Sequence, residues 1–175
     1  MLRIVTLACV AAVLALYGEH GHAIDIGEMA PNFEVNGFDG ESLRLSDYRG
    51  KKAVYLVFWN TWCSYCIKKA PRYKKLQEQY GDRVEIIAVN TTWSDSNEEI
   101  AQFQQRFEVN YPIAVDNGQT LTDQYAVHNV PTEFIIDIDG VIRYRDGVPK
   151  LLAAHIPDWF QPYSADMSPV QSCTR

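Results

Sequence analysis

The sequence predicts an α/β fold in which a central mixed sheet is flanked by helices, and three observations carry that prediction. The run Ala53–Trp59 is apolar without a break and of strand length, the pattern of a strand covered on both faces. Helical patterns alternate with further short apolar runs, as βαβ units do. Near the end, two apolar runs flank Asp139-Gly140, a strong hairpin signal. At 175 residues and 12% aromatics the chain suits one domain with a real core, not low-complexity disorder. Its net charge of −6 argues against nucleic acid as a partner, because phosphate binding needs surplus Lys and Arg.

Taken in order, residues 33–36 and 42–45 alternate apolar with polar around Gly37-Phe38-Asp39-Gly40 and predict an N-terminal β-hairpin. After the strand Ala53–Trp59, a helix is predicted over 63–80, ended by Gly81 and kinked at Pro71. Residues 84–89 read as a second buried strand. Ser96-Asn97-Glu98-Glu99 is a capping box, opening a helix with Ile100, Phe103 and Phe107 on one face. A strand over 111–115, a turn at Asp116-Asn117-Gly118 and a short helix over 120–125 follow. Residues 134–137 and 141–144 form the closing hairpin, and one or two helical turns over 150–156 precede Pro157.

The ends read differently. Residues 1–23 have Arg3, an uncharged run over 4–17 and small residues before a cut after Ala23, the layout of a secretory signal peptide. The apolar run is short for a membrane span, so contact with the membrane is expected only if this segment stays uncleaved as an anchor. The expected division is therefore signal peptide 1–23, one domain 24–160 and a flexible tail 161–175. Cleavage leaves Cys63, Cys66 and Cys173 in a compartment where disulfides persist.

One motif carries chemistry, Trp62-Cys63-Ser64-Tyr65-Cys66 at the predicted strand–helix junction. A cysteine at a helix N-terminus faces unpaired N–H groups and the positive end of the dipole, which favour the attacking thiolate. Cys63 is thus expected to be the exposed nucleophile and Cys66, one turn on, the buried resolving thiol. Half a zinc site and a purely structural disulfide are the competing readings. The former lacks a second ligand pair, since Cys173, His128 and His155 stand singly, so no metal or other cofactor is expected. The latter would close too small a ring to stabilise much.

The segment 58–66, together with Pro71 and Val130-Pro131-Thr132-Glu133-Phe134 downstream, resembles the TlpA/ResA-like thiol–disulfide oxidoreductases. The start Gly27-Glu28-Met29-Ala30-Pro31-Asn32-Phe33 matches as well, and the resemblance runs over about 27–149. It implies a thioredoxin-like fold with an N-terminal β-hairpin and a central strand–helix insertion. It further implies a periplasmic or other extracytoplasmic location and redox partners that are protein thiols and disulfides. A membrane electron donor and a reducing role in cytochrome c maturation, acting on apocytochrome c, belong to the same implication. Pro131 matches the cis-proline beside the disulfide, and Val130 and Trp62 the residues that meet the substrate chain.

One departure stands out. Many members carry Glu three residues after the second cysteine, where this chain has Lys69, and Glu133 is the replacement candidate for an acid/base. A solvated lysine there would favour the thiolate of the pair. Its exchange for Glu is then expected to make the couple more reducing with little loss of stability. Residues 51–77 also hold seven cations and no acid, either a solvated helix face or a positive collar that steers an acidic partner. Two other functions share some of these features. A peroxiredoxin-like peroxidase shares the Ala-Pro-x-Phe start, yet its Pro and Thr positions before the cysteine hold Leu56 and Asn60. A redox-inert binding module would keep the disulfide permanently closed.

Overall fold

The computed structural model describes residues 24–146 and 152–162. The predicted signal peptide and Cys173 lie outside the described residues. β1 (Glu34–Asn36) and β2 (Ser42–Arg44) form the antiparallel N-terminal hairpin. β3 (Ala53–Trp59), α1 (Ser64–Tyr80) and β4 (Val84–Asn90) make a parallel βαβ unit. After β4 come α2 (Asn97–Phe107), β5 (Ile113–Val115) and the short α3 (Thr120–Gln124), so the central segment expected as strand–helix runs helix first. β6 (Thr132–Ile136) and β7 (Ile142–Arg145) are the closing hairpin, and α4 (Leu152–His155) leads into a 3-10 turn over Ile156–Phe160.

The main sheet runs β5-β4-β3-β6-β7. Its first three strands are parallel and the last two join antiparallel, so the sheet is mixed as expected. β3 sits at the centre because every one of its residues is apolar and buried. Tyr55, Val57 and Trp59 pack on one side with Cys66, Ala70 and Tyr73 of α1, and Val54, Leu56 and Phe58 on the other with Phe33, Leu121 and Tyr125. Each such side chain contributes about 1.5–3 kcal/mol when fully buried, which is why an unbroken apolar run takes the middle position. The chain ahead of β3 covers both sheet edges, bridging Met29 to Val141 and Gly37 to Ala114.

Local signals behaved as their physics requires. Ser96 and Glu99 exchange both bonds of the capping box at the start of α2. α1 continues as one helix through Pro71. The strand expected over 111–115 is shorter, Ile113–Val115, since Pro112 has no N–H for the ladder. Past Pro157, where no element was predicted, the 3-10 turn buries Trp159 against the sheet, and its carbonyl accepts from Ile138 N–H at 3.0 Å. No helix among the described residues is long and apolar enough to cross a membrane.

Candidate active site

β3 ends in the core at Trp59, and the chain turns through Asn60-Thr61-Trp62 to deliver Cys63 as the N-cap of α1. The turn is closed by Cys63 N–H donating to Asn60 C=O at 3.3 Å. Cys63 and Cys66 are joined as a disulfide with Cα atoms 5.2 Å apart. Cys66 N–H points at Cys63 Sγ at 3.1 Å, one of the orphan donors that a helix start offers. The first turn of α1 holds no acidic residue, so nothing in it opposes a thiolate at the cap. On the other side, Cys63 Sγ lies 3.5 Å from Val130 C=O, next to the cis Val130–Pro131 bond. The predicted pair, Val130 and Pro131 therefore meet at one place, from segments more than sixty residues apart.

Exposure differs from expectation. Cys63 is only 5% exposed in the disulfide, little more than Cys66 at 3%. What faces solvent instead is the aromatic pair beside them, Trp62 at 56% and Tyr65 at 68%. Large apolar side chains left in water next to a reactive group suit a protein partner better than a small solute. Lys68 stands 5.5 Å over the Tyr65 ring.

The two tuning candidates turn out to be one ion pair. Lys69 Nζ, on α1, reaches Glu133 Oε2, on β6, at 2.6 Å. β6 runs antiparallel to β3 with Glu133 opposite Val57, which turns its side chain under α1. Its other oxygen accepts from Tyr55 OH at 2.8 Å and from Tyr73 OH. Burial pushes both phenols well above their ordinary range, and the Glu133 charge pushes further in the same direction, so they remain protonated donors. Lys69 is thus not a lysine free in water. Its side chain is a third exposed, while that of Glu133 is almost wholly buried at 4%. This pairing argues against the expectation that Lys69→Glu costs little stability, because a second carboxylate would meet a buried one.

Three members of the seven-cation run are held in ion pairs. Lys52 bridges Glu85 and Lys74 bridges Glu108, at 2.7 and 2.6 Å, in addition to the Lys69–Glu133 pair. Three of the seven cations are thus paired with carboxylates, which reduces the charge of a positive collar.

The structure adds three site residues that sequence reasoning missed, Asn60, Asn90 and Asp95. Asp95 accepts from both asparagines and from Thr61 beside the cysteine turn. The available sign was a polar residue closing each of two apolar strand runs.

Comparison with known proteins agrees with this geometry. Residues 26–145 match the AhpC/TSA family. The chain is 34% identical over 143 residues to the thiol-disulfide oxidoreductase ResA of Bacillus thuringiensis subsp. konkukian, covering 79% of this chain and 81% of that protein. It belongs to the ResA-like thiol–disulfide oxidoreductases. The thioredoxin-like protein YneN of Bacillus subtilis is another relative, 36% identical over 128 residues and covering 73% of this chain and 74% of its own. Among solved structures, a putative thiol:disulfide interchange protein DsbE from Chlorobium tepidum superposes with a TM-score of 0.67 at 28% identity, over 78% of this chain and 98% of that one. The thioredoxin-like fold and the thiol–disulfide oxidoreductase activity follow, with protein thiols and disulfides as the class of substrate. Within this ResA-like frame, Lys69, three residues after the second cysteine, is paired with Glu133.

Proposed function

We propose that this protein is an exported reductant of protein disulfides, with Cys63 as nucleophile and Cys66 as resolving thiol. The observation that carries the reading is Cys63 at the cap of α1, held between Cys66 N–H and Val130 C=O. In the reduced protein the Cys63 thiolate attacks one sulfur of a partner disulfide. That bond breaks, a Cys63–partner disulfide forms and the partner's other sulfur leaves as thiolate. Cys66 then attacks Cys63 Sγ, the partner leaves as a dithiol, and the Cys63–Cys66 disulfide remains. A dithiol donor on the membrane side must return two electrons. Trp62, Val130 and Pro131 form the docking surface for the partner chain, and the Lys69–Glu133 pair tunes the thiols from below.

Export by residues 1–23, cleaved or retained as an anchor, places this chemistry outside the cytoplasm. Apocytochrome c, whose haem attachment needs reduced cysteines, is the substrate the family resemblance favours. The test is a redox titration with trapping. A working couple should lie between about −120 and −270 mV, whereas a structural disulfide lies below about −300 mV. Cys63→Ser should abolish reduction of insulin, because a hydroxyl is a far weaker nucleophile at neutral pH. Cys66→Ser should accumulate mixed disulfides with native partners. The AhpC/TSA match keeps a peroxidase as the second reading. Against it, the position three residues before Cys63 holds Asn60, whose amide is committed to Asp95 and Thr91. Peroxide consumption by the reduced protein, measured beside insulin reduction, separates the two.

A further inference from the structure

Asp95 lies on the loop between β4 and α2, directly before the cap Ser96, and its carboxylate gathers four donors. Oδ2 accepts from Thr61 N–H at 2.7 Å, Asn90 Nδ2 at 2.6 Å and Asn60 Nδ2 at 3.2 Å, and Oδ1 accepts from Thr61 Oγ1 at 2.8 Å. Asn60 and Asn90 are fully buried. The far side of Asn60 is held as well, its Oδ1 accepting from Thr91 Oγ1 at 2.7 Å. Asn60 C=O in turn receives Cys63 N–H. Between the end of β3 and Cys63, only the exposed Trp62 is untouched by Asp95.

We propose that Asp95 is a positioning residue of the redox pair: by locking the Asn60–Thr61 turn it sets where Cys63 Sγ sits at the start of α1. It acts through the turn. The inference rests on the thiol–disulfide activity and adds the element that makes the nucleophile's geometry fixed. Geometry matters because hydrogen bonding of a thiolate to Cys66 N–H falls off steeply with distance and angle. Attack on a disulfide likewise needs an aligned sulfur, and a displacement of about 1 Å can cost on the order of a hundredfold in rate.

A carboxylate could act through its charge instead, and one substitution separates the two. In Asp95→Asn the amide oxygen can keep the three donors at the Oδ2 position. The NH2 group then donates to Thr61 Oγ1, a hydroxyl that accepts as readily as it donates. Charge is lost and geometry kept, whereas Asp95→Ala loses both.

The experiment measures two properties of the reduced full chain: the rate of attack on a small aromatic disulfide, and the pH profile of Cys63 alkylation. Asp95→Ala should slow attack by about tenfold or more and raise the Cys63 pKa, while Asp95→Asn stays within about threefold of wild type. A wild-type rate and profile in Asp95→Ala would overturn the proposal whatever its melting temperature, because a merely structural role moves stability alone. Equal defects in the Asn and Ala variants would also overturn it, in favour of charge. Should Asp95→Ala not fold, Thr61→Val removes one of the four donors and should show the same shift at about fivefold, beyond the range allowed to Asp95→Asn, and its absence would overturn the proposal. Wild-type protein inert toward every disulfide would instead remove the activity itself, a result distinct from an active enzyme indifferent to Asp95.

Discussion

β6 has a buried ion pair at each end, and the two are built for different tasks. Beyond its last residue, Asp137 accepts Arg143 Nε at 2.5 Å and the N–H groups of Asp139 and Val141, with both side chains of the pair buried. Arg143 also reaches Gln161 C=O, so one guanidinium joins the hairpin turn to the C-terminal segment. At the other end, Glu133 is equally buried, but its cation is a lysine with a third of its side chain in water and its other donors are phenols. A closed pair of the first kind contributes fixed geometry. A pair with one partner at the surface can adjust to the charge state of neighbouring thiols, and this one ties the redox helix to β6.

The comparison is broken most severely at the closed end. Arg143→Met leaves Asp137 buried without its cation and frees Gln161, and should cost about 3–5 kcal/mol in chemical denaturation. The disulfide potential should stay at the wild-type value. A shift there would mean that the two ends of β6 are not independent.

Lys69→Glu should cost less, about 2–3 kcal/mol near neutral pH, because the lysine is partly solvated and its contribution is screened. The couple should become more reducing, by about 20 mV if roughly 1 kcal/mol of the charge reversal reaches the thiols. Redox titration against glutathione checks this. An unchanged or more oxidising value would confine the pair to a structural role.

These predictions show which links the sequence could carry. The unbroken apolar run at 53–59, the largely apolar one at 84–89, the capping box at Ser96 and the Asp139-Gly140 turn are local signals, and each produced its element. The cysteine pair at a strand–helix junction was legible for the same reason. The partner of Lys69 was not, because it is chosen by the antiparallel register that puts Glu133 opposite Val57, and register is a property of two strands far apart in sequence. Asp95 was hidden similarly: a loop residue without periodicity becomes informative only when Thr61, Asn60 and Asn90 converge on it. Trp159 lies in a 3-10 turn too short to leave a pattern, and tertiary burial alone fixes its place.

The smallest effect sharpens the comparison from the alkaline side. Tyr55 and Tyr73 both donate to Glu133, and burial, then neighbouring phenol or carboxylate groups, raise their pKa values far above the ordinary 10. In the unfolded chain a tyrosine releases its proton near pH 10, whereas the folded protein keeps it. The unfolded state therefore gains from each proton lost. Stability from these groups is complete below about pH 10 and falls above it by about 1.4 kcal/mol per pH unit for each tyrosine still protonated in the fold. Tyr73→Phe should cost about 1 kcal/mol at neutral pH through the lost donor to Glu133, yet flatten the alkaline decline by one tyrosine's share. Arg143→Met should not flatten it, since no phenol donates to Asp137. Urea denaturation at pH 9, 10 and 11, on oxidised protein carrying Cys173→Ser to prevent thiol exchange, tests both. Equal slopes in wild type and Tyr73→Phe would show that the phenol ionises in the folded state. The Glu133 cluster would then be open to hydroxide in a way that its burial opposes.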